Sequence, residues 1–234
     1  MEEILSGKAD LHIHSEYSHD AHHSIESILK TAKLRGLDIV AITDHNVIAG
    51  SKRAEKIAQD FGLTAIVGEE VDTKDGDIIA VFIKDFIAPG RSAFDTIREI
   101  HKQGGLAIIP HPLNWIVGGL KEKAVFEVYP EADGIEVFNG GWCGSLGRRR
   151  AHYLNLTKFN LAQIASSDSH LACHVGRAFV SFKGKTPGDL FLAIKNKETR
   201  PAGKSWTVMD RIAWLGKLPN LIVKEIAYRT RSNK

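Results

Sequence analysis

Asp10-Leu11-His12-Ile13-His14-Ser15 opens the most informative part of this chain. If residues 9–13 form a strand, His12 and His14 lie two residues apart on one face, with Cα atoms about 6.5–7 Å apart. Both imidazoles can then reach one metal centre. His-x-His is a weak signal by itself, but four later segments strengthen it. They are Thr43-Asp44-His45, Gly68-Glu69-Glu70, Pro110-His111-Pro112 and Ser167-Asp168-Ser169-His170. Each sets a hard or borderline ligand just past an apolar run that reads as a buried strand. Five segments with this common arrangement predict a metal cluster assembled from several strand ends.

Outward from these segments, apolar runs alternate with amphipathic stretches. The pattern predicts strands at 9–13, 38–43, 64–71, 78–83, 106–109, 134–138, 162–165 and 178–182. Helices are expected at 24–35, 49–61, 92–102, within 120–129, around 148–159 and from 187. Ser24 can cap the first helix, Gly36 and Gly62 can stop the first two, and Ser92 stands in near capping-box spacing with Asp95. Thr186-Pro187-Gly188-Asp189 is a strong helix start. Lys74-Asp75-Gly76 reads as a turn. This alternation argues for a mainly parallel α/β sheet.

The chain has 234 residues, of which 43% are hydrophobic. That suits one core, since single α/β barrels commonly occupy about 200–250 residues. The expected organisation is one domain over 1–200 and a helical appendage over 201–234 that is not an independent domain. In the appendage Val208, Ile212, Leu215, Leu218, Ile222 and Ile226 recur at three- or four-residue intervals. Gly216 and Pro219 interrupt it, so its apolar face is expected to dock on protein or pair with another subunit rather than lie on a membrane. The start, MEEILSGKAD, lacks the basic and apolar regions of a signal peptide, and no run of about 18 apolar residues predicts a span. Cys143 and Cys173 form no disulfide framework, which fits the cytoplasm. The net charge of +3 is concentrated after residue 216, where five basic residues face one acid; the remainder carries −1. The body is therefore no basic nucleic-acid binder, and no stable nucleic-acid complex is expected.

Sites in parallel α/β folds gather at the carboxyl ends of strands. His12, His14, His45, Glu70, His111, Asp168 and His170 all lie at or just past the ends of predicted strands, and Asp20 lies in the loop beyond His14. Histidine with carboxylate suits Zn, Mn or Fe, with Mg also compatible. Eight ligands exceed one tetrahedral ion and imply two or three divalent metal ions. Asp44 is expected to orient His45 from behind. Asn139, Arg148, Arg149 and Arg177 are candidates for substrate contact, the arginines because guanidinium matches phosphate. Gly104-Gly105 and Gly140-Gly141 lack Walker or Rossmann spacing, and no Gly-x-Ser-x-Gly elbow occurs.

The motifs DLHIHSEYSHD, AITDHN, GEEV, AIIPHP and ASSDSH, in this order, resemble the polymerase and histidinol phosphatase (PHP) family of metal-dependent phosphoesterases, in its small stand-alone form. The resemblance covers about residues 8–182. It implies a distorted seven-stranded (β/α) barrel with the metal site at the C-terminal ends of the strands. It also implies that His12, His14, Asp20, His45, Glu70, His111, Asp168 and His170 are the ligands, with His12, His14, Glu70, Asp168 and His170 at the catalytic centre. Glu70 is chosen over Glu69 because the family pattern is Gly-x-Glu. Two departures stand out: Ala21 replaces a common glycine, and Asp77 sits where many relatives place a histidine ligand. Asp77 is thus a shorter candidate ligand. The expected reaction is hydrolysis of a phosphorylated small molecule, nucleotide or short oligonucleotide by metal-activated water. The alternatives are an amidohydrolase-type metallohydrolase and a non-catalytic metal-binding module.

Overall fold

The computed structural model describes residues 5–141, 143–204 and 207. The strands are β1 (Gly7–Asp10), β2 (Ile39–Ile42), β3 (Thr64–Asp72), β4 (Asp77–Val81), β5 (Leu106–Ile109), β6 (Gly134–Asn139), β7 (Ala162–Ser166), β8 (Ala178–Phe182) and β9 (Arg200–Gly203). The helices are α1 (Ile25–Leu34), α2 (Ala49–Ile57), α3 (Ala93–Lys102), α4 (Glu122–Val128), α5 (Arg148–Leu154) and α6 (Pro187–Lys195). Local chemistry sets the helix starts. The Ser24 hydroxyl accepts from the Ser27 N–H, Ser92 from Asp95, and Thr186 shares a full capping box with Asp189 behind Pro187.

One sheet contains all these strands in the order β7-β6-β5-β4-β3-β2-β1-β8-β9. β1, β2 and β3 are parallel, as are β5, β6 and β7. β4 runs antiparallel to both β3 and β5, so the two parallel groups point the same way. β8 runs antiparallel to both β1 and β9. The expected count of seven strands is corrected here to nine among the described residues. The antiparallel pair β8 and β9, joined through α6, extends the sheet beyond β1, and β9 crosses the expected boundary after residue 200 because its backbone pairs with β8.

The sheet curls until its ends nearly meet. β7 packs against β8 and β9, and the Thr199 hydroxyl donates to the Gln163 carbonyl at 2.8 Å. Beyond the formal strand ends, Ile13 bridges Ser169 in parallel, and the His14 N–H donates to the Ser169 carbonyl at 3.0 Å. Asp10 fastens the same seam. Its carboxylate accepts from the Ser167 N–H at 3.0 Å and the Gly176 N–H at 2.8 Å. Burial pushes this carboxyl up to about 6.

Alternation sorts the side chains. Ala9, Ile39, Ile66, Ile79, Ile108, Ile164 and Val180, one each from β1–β5, β7 and β8, form one buried cluster that α6 closes with Leu190, Ala193 and Ile194. This is the barrel interior. Val40 and Ile42 pack outward on α1 and α2. Val67, Val71, Ile78 and Ala107 pack outward on α3 and α4. Inward positions near the carboxyl ends of the parallel strands are polar, and there the site forms. No helix among the described residues is long and apolar enough to cross a membrane. The amphipathic stretch expected within 207–228 lies, apart from Thr207, outside the described residues.

Asp10→Ala would leave two buried N–H groups unpaired at the seam. At about 1–3 kcal/mol for each, the metal-free protein should lose about 2–6 kcal/mol in urea denaturation. A loss within experimental error of zero would show that the seam does not depend on this carboxylate.

Candidate metal centre

Two residues of β3 resolve a choice that alternation within one strand left open. Glu69 shares the outward parity of Val67 and Val71, and its Oε2 accepts from the Ile87 N–H at 3.1 Å. Glu70 shares the inward parity of Ile66 and enters the barrel end. There its Oε2 lies 3.1 Å from His12 Nε2, 3.2 Å from His14 Nε2 and 3.4 Å from His45 Nε2. Its Oε1 lies 3.1 Å from His111 Nε2. Imidazoles from three separate strand ends thus converge on one buried carboxylate.

The other expected residues gather around it. Asp168 Oδ1 is 3.5 Å from both His12 Nε2 and His14 Nε2. Asp20 Oδ2 is 2.7 Å from His170 Nε2 and 3.5 Å from His45 Nε2. The His14 ring stacks between those of His45 and His170, at centroid distances of 4.8 and 4.2 Å. Four overlapping sets offer ligand atoms within 4.8 Å of one another: His14, Asp20, His45 and His170; His12, His14 and Glu70; His12, His111 and Asp168; and Glu70, Asp77 and His111. Asp77, inward on β4 like Ile79, therefore belongs to the cluster. Gly118, at φ +85°, leaves the room in which its carboxylate sits, because a Cβ there would strike Asp77 Oδ2.

Backbone strain helps aim two of these groups. His111 and Asp168 have φ values of 26° and 48°, in a region that residues other than glycine seldom adopt. Each follows the end of a parallel strand, where the chain must turn sharply to send its side chain inward. Such strain persists only where surrounding structure enforces it.

Carboxylates and imidazoles shift one another's protonation. Burial opposes protonation of His12, yet Glu70, Asp168 and Glu136 outweigh it and hold the ring well above the usual imidazole value. His45 is likewise raised by Glu70 and Asp20 against burial, and Asp20 raises His170 to about 9. In return Glu70 is held well below the carboxylate range by His12 and His45 despite its burial, and Asp168 is lowered chiefly by His12. Burial, followed by repulsion from Glu70, pushes Asp77 up to about 8.

This donor set fits cations. His12 Nε2 and His14 Nε2 face each other at 3.0 Å, so as neutral rings they aim lone pairs at a shared point unless one carries a proton there. His14 Nδ1 and His111 Nδ1 are buried without a hydrogen-bond partner. Imidazole nitrogens and carboxylate oxygens around a common point are a borderline-metal environment.

Three residues outside this cluster need placing. The expectation that Asp44 orients His45 is corrected. Asp44 instead accepts from the Ser15 N–H at 2.6 Å and the Ser15 hydroxyl at 2.7 Å, whereas Asp72 Oδ1 lies 3.1 Å from His45 Nδ1. The reason is register: His45 bridges Glu70, and Asp72 follows two residues later on the same face of β3. Glu136, which the sequence reading did not single out, lies 3.0 Å from His12 Nδ1 through its Oε1. Its signal was a lone carboxylate at an inward position of an otherwise apolar strand. Asn139 donates from Nδ2 to Asp168 Oδ2 at 3.1 Å, while its Oδ1 accepts from the Gly141 N–H. Of the arginines, Arg148 lies over the Phe138 ring at 4.7 Å, Arg149 is exposed, and Arg177 is half-buried just before β8.

A nearly closed α/β sheet with histidines and carboxylates at its carboxyl rim defines a metallohydrolase-like barrel. The chain belongs to the PHP domain family, whose model matches residues 10–198. It is 42% identical over 142 residues to an uncharacterized protein of Methanocaldococcus jannaschii, covering 56% of this chain and 81% of that one. It is 36% identical to a 5'-3' exoribonuclease of Haemophilus influenzae, covering 72% of this chain and 92% of the relative. A two-domain protein of Bacteroides vulgatus, described as containing a predicted PHP-like metal-dependent phosphoesterase, shares the fold. Its TM-score is 0.71 at 23% identity, over 84% of this chain and 64% of that one.

Metal binding at this cluster should release protons. His170, raised to about 9, and Asp77, raised to about 8, join the raised His12 and His45 in favouring the protonated form at pH 7, and a cation must displace those protons. Apparent affinity for Zn or Mn should therefore rise with pH up to about 9, by about tenfold per pH unit for each proton displaced. Calorimetry at pH 7 in buffers of different ionisation enthalpy counts the protons. A count of zero would contradict ligation by these groups.

Proposed function

We propose that this protein hydrolyses phosphate esters using two or three divalent ions, Mn, Zn or Fe, with Mg also compatible. The observation that carries this reading is the contact of Glu70 with four imidazoles, flanked by Asp168 on one side and the Asp20–His170 pair on the other. His12, His14, Asp20, His45, Glu70, His111, Asp168 and His170 would hold the ions, with Asp77 as a further ligand. Such ions, when bound, polarise phosphoryl oxygens and bring a water near neutral pKa.

The protein's own groups supply the rest. Glu70 would serve as a ligand, with its two oxygens facing different histidines. His170 and Asp20 are only half-buried and lie where the cluster meets solvent, so they would receive the ester. Asn139 steadies Asp168. Arg148, Arg149 and Arg177 are candidates for contact with the phosphate. No serine or cysteine nucleophile is required. His12, His14, Glu70, Asp168 and His170 would form the catalytic centre.

A nucleotide or short oligonucleotide is the substrate class favoured by similarity to the exoribonuclease, and a phosphorylated small molecule fits the same chemistry. The body's slight negative charge argues for transient contact rather than a lasting nucleic-acid complex. We place the protein in the cytoplasm, with residues 1–200 as the catalytic body and 201–234 as an appendage that could pair subunits.

The test is a panel of phosphomonoesters and phosphodiesters assayed with Mn, Zn, Mg and Fe(II). Turnover should require metal and vanish in chelator. Asp168→Ala should lower kcat/KM by at least about 100-fold, because changes behind the ligands alone cost about 10–100-fold. A variant as active as the parent on every substrate would instead support a metal-binding module without catalysis.

A further inference from the structure

Glu136 is fully buried on β6, yet it differs from the candidate ligands Asp20, Glu70, Asp77 and Asp168 in what it touches. A carboxylate offers about four lone-pair sites. Glu136 uses them all on protein donors. Oε1 faces His12 Nδ1 at 3.0 Å and the Ser166 hydroxyl. Oε2 accepts from the His111 backbone N–H at 2.7 Å and from Asn139 Nδ2 at 2.9 Å. Glu70 is the opposite case, with its oxygens facing imidazole Nε2 atoms that are themselves candidate ligands.

We infer that Glu136 is the positioning residue of the metal centre, holding three ligands from three strand ends at once without binding a cation itself. This rests on the ligand assignment proposed above. Toward β1, Glu136 accepts a hydrogen bond from the His12 Nδ1–H and so keeps Nε2 as the nitrogen directed at the shared point. Toward β5, it accepts from the His111 N–H and anchors the backbone at the residue whose φ is 26°. Toward β7, it shares the Asn139 amide with Asp168, since Nδ2 donates to Glu136 Oε2 and to Asp168 Oδ2. With its lone pairs occupied, Glu136 has no capacity left for a metal ion. Carboxylates behind metal-binding histidines fix ring orientation and tautomer in this way.

The isosteric change Glu136→Gln tests this sharply. In either amide orientation an N–H₂ group meets a donor pair: His111 N–H with Asn139 Nδ2, or His12 Nδ1–H with the Ser166 hydroxyl. Chelator-stripped parent, E136Q and N139A are titrated with zinc by calorimetry, and the zinc-loaded proteins are compared by proton and ¹⁵N-histidine NMR. E136Q should bind zinc about 10–100-fold more weakly, and N139A should weaken in the same direction. The parent should show a strongly downfield His12 Nδ1 proton that is lost or shifted in E136Q. Should E136Q fail to fold by circular dichroism, N139A decides. Zinc affinity within about threefold of the parent in the folded variants, an unchanged His12 signal, or a parent that binds no zinc would each overturn the inference. Turnover is not read here, so failure of the phosphoesterase reading leaves this result intact, and failure of this result leaves that reading to its own assay.

Discussion

The demand that Glu70 makes on its surroundings organises one end of this molecule. A buried carboxylate is costly unless it is paired, and Glu70 is paired with four imidazoles rather than with a lysine or arginine. Those imidazoles must come from several strand ends, because no single element can place four rings around one side chain. His12 and His14 follow β1, His45 follows β2 and His111 follows β5. The sheet must therefore curl enough to bring β1 and β5 across from β3. The β1–β7 seam, with Asp10 and the Ile13–Ser169 bridge, holds that curvature.

The barrel interior is divided along its axis. Toward one end it is filled with Ala, Ile, Leu and Val and closed by α6. Toward the carboxyl rim the same inward positions become Asp77, Glu70, Glu136 and Asp168. The apolar part supplies the burial that stabilises the fold. The polar part draws on that stability, holding strained backbone at His111 and Asp168 and a neutral-leaning carboxyl at Asp77. The proposed role of this cluster in holding cations would account for so many buried ionisable groups occurring together. Divalent charge would relieve the repulsion between Asp77 and Glu70 that the four imidazoles only partly offset.

A hierarchy runs through the polar end. Glu70, Asp168 and the His12 and His14 Nε2 atoms face the shared centre. Behind them stand Glu136 on His12, Asp72 on His45 and Asn139 on Asp168. Each of these supports lies on a strand rather than a flexible loop, so ring directions are tied to sheet register. This connects the family's fold to its chemistry, since precision at the metal centre comes from hydrogen bonds that the sheet itself aligns.

Several features were legible in the sequence because their causes are local. Ser24, Ser92 and Thr186 cap helices where their spacing predicts, and the candidate ligands stand out in the sequence beside the ends of apolar strands. The motifs identified the family by the same short-range logic. Other features depended on neighbours distant in the chain. Asp72 rather than Asp44 supports His45, because pairing of β2 with β3 sets who faces whom. Glu136 belongs to the site only because β6 turns it inward toward His12, 124 residues away. Alternation alone left Glu69 and Glu70 equivalent, the family pattern favoured Glu70, and packing of β3 supplied the physical reason by defining its interior and exterior. β9 carries a proline and a glycine and looks like loop, and it becomes a strand because β8 offers it a free edge. The sequence by itself determined which residue types follow which strands, and hence the family and the kind of chemistry. Only the tertiary structure decided which face each strand turns inward, because strand pairing and barrel closure are long-range contacts that local spacing does not encode.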